Sequence, residues 1–464
     1  MKTLGAALIV KNEELVIRRC IESIIPVCDE IVVVDTGSSD GTLSILDELR
    51  QVHPQIKVFN LTWVDDFSIA RNYSFGLVTT DYVMWVDADE EFKEPLNHRI
   101  IDLKNNDFDG YDIISTNILF MYADQTFSSC TRERIISKSI NPYWRFPVHE
   151  QLVVKGRKTH IDGQDCYVFH DKKKESNSRY YYEIYLNQSL HGQVEYSFHN
   201  IYYFLWMASI YDKELARVLL AILTEVPIGE GEYDYRLWFK DCGLLSPDEW
   251  NAFMLITTCD PTEPNLRLLL NKAIDLYREE KWYAAFLLLS FCQHKLPSDS
   301  VLYEESYEYV IYTACQLNLL EPALISNNDF YQLFPNNEIA IQNNEYFSSL
   351  NKQTIIGIIY FNGNQWRLPN LLFHMQDLCT NIIIASDNGT VVPILSGIEY
   401  PVTYCKLDAV DEVLSELNYD GLMVIDDSSE ITFKEKCELI KSHKYAQSFI
   451  ELETNSYKLI KDLK

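Results

Sequence analysis

Several things are missing from this sequence of 464 residues. No run of apolar residues is long enough to span a bilayer. The eleven cysteines, an odd number, are scattered with no Cys-x-x-Cys pair among them. That spacing argues against a zinc ribbon or a disulfide scaffold and fits a reducing, cytoplasmic setting. Basic residues are few. Lys and Arg number 40 against 68 Asp and Glu, so the formal net charge is −28. Such a surface repels nucleic acid and anionic lipid, which excludes both as main partners. An anionic ligand would need a locally positive site, made by a metal ion or by a few Arg and Lys. A secretory leader is not expected, because the apolar run Leu4 to Val10 is short and is stopped by Lys11, Glu13 and Glu14. Residues 5–14 contain only Gly5, so the N-terminus lacks a glycine-rich phosphate loop.

What is present describes a soluble globular protein, with 47% hydrophobic and 23% charged residues. The length exceeds one ordinary core and calls for two or three domains. The 30 Tyr and 22 Phe are expected mainly in cores. Near the N-terminus, LGAALIV (4–10), IVVVD (31–35), IKVFNL (56–61) and YVMWVD (82–87) read as strands. A helix predicted after Asn12, its expected cap, carries Val16, Cys20 and Ile24 at helical spacing. Another begins at Ser39 or Asp40 and carries Leu43, Leu46 and Leu49. Strands alternating with helices predict an α/β, doubly wound (Rossmann-like), mostly parallel sheet with ligands at the carboxyl ends of the strands.

From about residue 178 to 350 the pattern becomes that of paired helices. Ala273, Tyr277, Trp282, Ala285 and Leu289 form the expected inner face, and Pro297 and Pro322 the punctuation. The look is TPR-like, without a clean period. Residues 353–464 return to α/β, and their order of motifs echoes the first domain. Asp387-Asn388-Gly389-Thr390 stands where Asp40-Gly41-Thr42 does, and Asp426-Asp427-Ser428 where Asp87-Ala88-Asp89 does. The tail reads either as a degenerate, non-catalytic copy of half the first domain or as an unrelated small α/β domain. The expected domains are 1–175, 176–350 and 351–464.

Three motifs occur in order, each at a predicted strand end. They are Val10-Lys11-Asn12-Glu13-Glu14, Asp35-Thr36-Gly37-Ser38-Ser39-Asp40-Gly41-Thr42, and Asp87-Ala88-Asp89-Glu90. Two carboxylates at i and i+2 beyond an apolar strand can converge on one hard cation. Over roughly residues 4–172 the ordered trio resembles family 2 glycosyltransferases of the GT-A fold. The resemblance implies that Val10, Glu13 and Asp35 line the nucleotide base. It implies that Asp87 reaches the ribose and that Asp89 holds a divalent metal, Mn or Mg. Solvated turn carboxylates are the plainer alternative for the pair. Phe67-Ser68-Ile69-Ala70-Arg71-Asn72 and Phe146-Pro147-Val148-His149-Glu150 narrow the resemblance. Both strings are similar to a subgroup holding lipopolysaccharide-core glucosyltransferases and sublancin-type peptide glycosyltransferases. That resemblance implies Arg71 beside the donor, where its fork suits a diphosphate. It implies Glu150 as catalytic base, with His149 the substitute, and His170 as a further metal ligand alongside Asp87 and Asp89. Arg132 and Arg134 match a basic position that would touch phosphate or acceptor.

The expected function is an inverting, metal-dependent transfer of a hexose from a UDP-sugar to Cys or Ser of a bacteriocin-type peptide, with the helical middle binding the peptide or forming a homodimer. Synthesis of a cell-surface polysaccharide or lipopolysaccharide core is the rival enzyme reading. A non-catalytic peptide-binding scaffold is the rival from another class.

Overall fold

The structure, a computed structural model, describes every residue except 123–124, 164, 173–177, 196, 227–241, 351–352, 363–367, 388–400, 427–428, 430, 445–451, 454–456 and 462–464. The chain divides into two compact units, Met1–Asn177 and Ser178–Lys464.

The first unit is a GT-A-like α/β fold. Its opening half runs β1 (Leu4–Val10), α1 (Ile17–Ile24), β2 (Glu30–Asp35), α2 (Thr42–Val52), β3 (Ile56–Asn60), α3 (Phe67–Leu77) and β4 (Tyr82–Val86). β1, β4 and the interior of β2 from Ile31 to Val34 are apolar because helices cover both faces of a parallel sheet. Leu4, Leu8, Ile31 to Val34 and Val83 are fully inaccessible, as are Ile17, Ile21 and Ile24 of α1. The second half runs β5 (Glu90–Phe92), α4 (Glu94–Asn105), β6 (Ile113–Tyr122), β7 (Phe127–Ser137), β8 (Tyr143–Arg145), β9 (Gln151–Val153), β10 (Lys158–His160) and β11 (Tyr167–Lys172). The main sheet has the order β3-β2-β1-β4-β7-β6-β11-β5, with β10 beside β6, while β8 and β9 pair only with each other. β3, β2, β1 and β4 are parallel, and β7 turns the sheet antiparallel. The order therefore reverses at β1, the kind of switch point where such sheets open a crevice.

Asn12 does not cap α1. The helix starts after Val16, which makes no side-chain cap bond. Asn12 instead takes a left-handed backbone (φ 56°), its N–H donates to Ser38 Oγ at 2.9 Å, and its Oδ1 accepts from Ser39 N–H at 2.8 Å. The carboxamide that would have served the helix ties the β1 loop to the β2 loop. Asp40 does serve near the start of α2, where Oδ1 accepts from the Thr42 N–H at 3.0 Å and Oδ2 from the Glu14 N–H.

The second unit opens with helices, from Ser178–Leu190 to Glu338–Ser349. Ala273, Ala285 and Leu289 are fully buried, and Tyr277 meets Trp282 edge-on at 5.1 Å. A second sheet follows, with β12 (Ile355–Tyr360), β13 (Asn381–Ser386), β14 (Val402–Lys406), β15 (Gly421–Asp426), β16 (Leu452–Glu453) and β17 (Tyr457–Lys461). Its order is β14-β13-β12-β15-β17-β16. The first four strands are parallel and β17 is antiparallel, so the connectivity repeats β3-β2-β1-β4-β7. In this register Asp426, opposite Tyr360, takes the place of Asp87, and Ser386 takes the place of Asp35. Asn388, Gly389, Thr390, Asp427 and Ser428, the other residues of the repeated motifs, lie outside the described residues. No helix among the described residues is long and apolar enough to cross a membrane.

Candidate active site

The site lies at the carboxyl ends of β2, β1 and β4. On the β1–β2 side, Val10 is buried and paired with Asp35, and its carbonyl accepts from the Thr36 N–H and hydroxyl. Glu13 donates its N–H to Thr42 Oγ1 at 2.7 Å. Asp35 Oδ2 accepts from the N–H groups of Gly37 (2.9 Å) and Ser38 (3.0 Å), while Oδ1 has a longer contact of 3.3 Å with Ser38. Gly37 sits at φ 105°, which favours glycine. The Asp35 carboxylate is thus fixed by its own loop, with Oδ1 the less engaged oxygen.

On the β4 side the carboxylates gather. Ligand atoms of Asp87, Glu90 and His170 lie within 4.8 Å of one another. Strand pairing makes this possible, since β11 runs antiparallel to β5 and sets His170 opposite Glu90. His170 Nε2 lies 3.1 Å from Asp89 Oδ2, and Nδ1 lies 3.6 Å from Glu90 Oε1. Burial disfavours a charged ring, but the bonds and charges of Asp89 and Glu90 outweigh it and push the His170 pKa up to about 10. Burial likewise acts to raise the pKa of Asp87. Arg71, then His170 and Arg134, reverse this and hold its carboxyl below the usual range. Behind the cluster, the Cys20 thiol donates to the Asp87 carbonyl (3.3 Å). Burial first, then Glu90, Asp89 and Asp87, raise its pKa well above normal, so it stays a neutral thiol.

Two arginines flank this group. Arg134 is wholly buried, forks onto Glu90 at 2.7 and 2.9 Å, and donates to the Trp85 carbonyl. It therefore supports the site from inside and does not face phosphate or acceptor as its position in the sequence suggests. Arg132 is exposed. Arg71, also buried, donates through Nε to Glu150 Oε1 at 2.6 Å and through a terminal nitrogen to Asp87 Oδ1 at 2.9 Å. Its guanidinium lies 4.7 Å from the Trp144 ring centroid and 5.3 Å from that of Trp85. Burial works against its charge, and Asp87 and Glu150 override that, moving its pKa upward. His149 precedes Glu150 in a left-handed backbone conformation, φ 53°. The structure thus joins Arg71, Asp87 and Glu150 in one set and Asp87, Glu90 and His170 in another, with Asp87 common to both and Asp89 in contact with His170. Val10, Glu13 and Asp35 stand along the neighbouring strand ends.

The donor set fits a hard divalent cation. Asp87, Asp89, Glu90 and Glu150 supply four carboxylates, whereas Arg71 and Arg134 supply two permanent positive charges. His170 adds a ring nitrogen in contact with Asp89. A dication complements the remaining charge with oxygen and nitrogen ligands of the right hardness. Glu90, Trp85, Trp144 and Asn72 were not picked out from sequence. Glu90 adjoins the Asp87-x-Asp89 pair, and Asn72 ends the string that contains Arg71. The two tryptophans carry no local signal of a role beside a guanidinium.

Residues 6–171 match the family described as Glycosyl transferase family 2, so the first unit carries a family 2 glycosyltransferase domain. The chain is 37% identical over 91 residues to a TPR repeat-containing protein of Synechococcus elongatus, which covers 20% of this chain and 21% of that protein. It is 26% identical over 131 residues to the SPbeta prophage-derived glycosyltransferase SunS of Bacillus subtilis, covering 28% and 30%. The chain thus spans under a third of the length of either relative. The crystal structure of S. aureus TarS 1–349 in complex with UDP-GlcNAc is similar at 15% identity, covering 75% of this chain and 92% of that one with a TM-score of 0.31. A superposition that low supports no conclusion about this chain.

Proposed function

We propose that this protein is an inverting, metal-dependent glycosyltransferase that moves a hexose from a UDP-sugar to Cys or Ser of a peptide in a reducing cytoplasm. The observation that carries the reading is the convergence of Asp87, Glu90 and His170 on one spot, with Asp89 against His170 and with Arg71 bonded to both Asp87 and Glu150. Asp35 Oδ1, at the tip of β2, is available to a donor N–H of the base. Asp87 is available to the ribose. Manganese or magnesium would be held by Asp87, Asp89 and His170, and when bound it supplies positive charge against the departing diphosphate. Glu150 takes the proton from the attacking hydroxyl or thiol as the new bond to the anomeric carbon forms, and the donor's bond to its diphosphate breaks on the opposite face. Glu150 is preferred as the base because Arg71 fixes the direction of its carboxylate. The strings at 67–72 and 146–150 are similar to those of a subgroup that holds both sublancin-type peptide enzymes and lipopolysaccharide-core glucosyltransferases, and a catalytic domain followed by TPR-like helices favours the peptide acceptor. The TPR-like helices of the second unit suit an extended peptide or a second copy of the chain.

Asp89→Asn removes one ligand charge at a half-buried position between β4 and β5 and leaves the fold intact. UDP release from UDP-glucose with manganese should fall by at least about 10²-fold, since the cation stabilises the departing charge by several kcal/mol. Wild-type turnover in this variant would remove the metal from the reading. Mass spectrometry of peptides encoded near the gene, after incubation with UDP-sugars, should show a hexose or N-acetylhexosamine increment on one of them.

A further inference from the structure

The proposed base is not built into the main sheet. Glu150 leads into β9, which among the described residues pairs only with β8, across a five-residue connection, 146–150. Two residues of that connection that are not glycine, Phe146 (φ 71°) and His149 (φ 53°), take left-handed backbone conformations. Each costs on the order of 1–2 kcal/mol, so the connection keeps its shape only if something outside it holds it there. That something is α3. Asn72 Nδ2 donates to the Trp144 carbonyl at 2.8 Å, and Asn72 Oδ1 accepts from the Trp144 N–H at 2.7 Å. The Phe67 N–H donates to the Pro147 carbonyl at 2.8 Å. Arg71 then takes the Glu150 carboxylate itself.

This changes the role of Arg71. Sequence similarity sets it beside the donor as a ligand for the diphosphate. Here Nε is committed to Glu150 and a terminal nitrogen to Asp87, and the tryptophans at 85 and 144 lie against the guanidinium. Two of its five N–H donors thus go to carboxylates of this chain, and the side chain is buried. It does connect, through one rigid plane, the carboxylate proposed for the donor and the carboxylate proposed for the proton.

We propose that Arg71 and Asn72 are positioning residues. They act as a strap from α3 that sets Glu150 at a fixed distance from Asp87, and Arg71 is not a ligand of the donor diphosphate. The inference rests on the functional reading above. Its consequence is a split between binding and turnover. A strap sets where the base stands without touching the nucleotide, and a displacement of about 1 Å at a reacting group costs on the order of 10²-fold in rate.

The test uses the full chain with manganese. UDP and UMP affinities are measured by calorimetry, and kcat and KM by UDP release from UDP-glucose. For Arg71→Lys and, separately, Asn72→Ala, kcat should fall by about 10 to 10²-fold while the ratio of UDP to UMP affinity stays within about twofold of wild type. Asn72→Ala leaves every charge in place, so it serves if the buried Arg71 variant does not fold. Glu150→Gln made on top of Asn72→Ala should cost less than Glu150→Gln alone, because the base is already displaced. Arg71→Lys losing UDP affinity selectively over UMP overturns the inference and makes Arg71 a diphosphate ligand. Unchanged kcat in Asn72→Ala overturns it too. Both results leave the glycosyltransferase reading standing, since wild-type protein still binds UDP and turns over. Wild-type protein that neither binds UDP nor releases it from UDP-glucose overturns the functional reading and this inference with it.

Discussion

Trp85 is the residue around which the charges of the site are arranged. The Arg134 guanidinium lies 3.5 Å from its ring centroid and that of Arg71 5.3 Å away, and its indole N–H donates to the Glu133 carbonyl at 2.6 Å. An aromatic ring is a favourable neighbour for a desolvated guanidinium, and here it keeps two of them close to four carboxylates. His170 carries the titration that can be measured. Its folded pKa of about 10 lies above the unfolded value of roughly 6.5. The contribution of the imidazolium contacts with Asp89 and Glu90 is therefore complete below about pH 6.5 and is lost as pH rises towards 10. With metal removed by EDTA, the denaturant midpoint should fall over that range in wild type and fall less in His170→Gln. A ligand nitrogen must shed its proton before it binds metal. Manganese affinity should therefore rise with pH over the same range in wild type, and a flat profile would exclude His170 as a ligand.

Among the elements, α3 does the most for the site. Asp66 caps it, accepting from the Ile69 N–H at 3.0 Å and the Ser68 hydroxyl at 2.7 Å. Asp66→Ala should lower stability by about 1 kcal/mol, read from the shift in urea midpoint. Because the first turn of α3 also holds Pro147, turnover should drop more than that loss of stability explains. Much of this was legible in sequence. The four parallel strands are legible to within about a residue, β1, β2 and β4 because burial makes them near-continuous apolar runs, and β3 although Lys57 and Asn60 are exposed. The string from Phe67 to Asn72 stood out as a motif. Other features could not be read locally. Asn12 has the side chain of a cap, and only the nearness of the β2 loop diverts it to Ser38 and Ser39. Glu90 looks like one more acidic residue until the antiparallel pairing of β5 with β11 sets it against His170. Arg134 looks like a surface arginine on a polar stretch, yet it is buried because β7 lies beside β4 and Glu90 neutralises it.

At the scale of the molecule, the second unit repeats the strand order of the first. Ser386 stands where Asp35 stands. The second sheet and its helices are tied to the preceding helices through buried polar bonds. Glu183 accepts from the Asn370 N–H at 3.0 Å. Asp212 accepts from the Phe433 N–H at 2.5 Å and from the Leu215 N–H at 3.1 Å. Lys444 reaches Glu321 at 2.6 Å. A chain ending at residue 350 leaves Glu183 without Asn370 and Asp212 without Phe433, and uncovers the apolar surface around them. An unsatisfied buried polar group costs about 1–3 kcal/mol. Such a chain should melt well below the full protein and show new cleavage between residues 178 and 350 in limited proteolysis, whereas residues 1–177 alone should stay protected. By itself the sequence determined the classes of chemistry and the parallel half of the first sheet, since periodicity, burial runs and adjacent carboxylates are local properties. The tertiary structure alone decided that Arg71 faces Glu150 and Asp87, that Glu90 and His170 meet, and that Arg134 lies inside. Each of these depends on a pairing between residues at least 16 apart in the chain, and long-range contacts of this kind leave no trace in local periodicity.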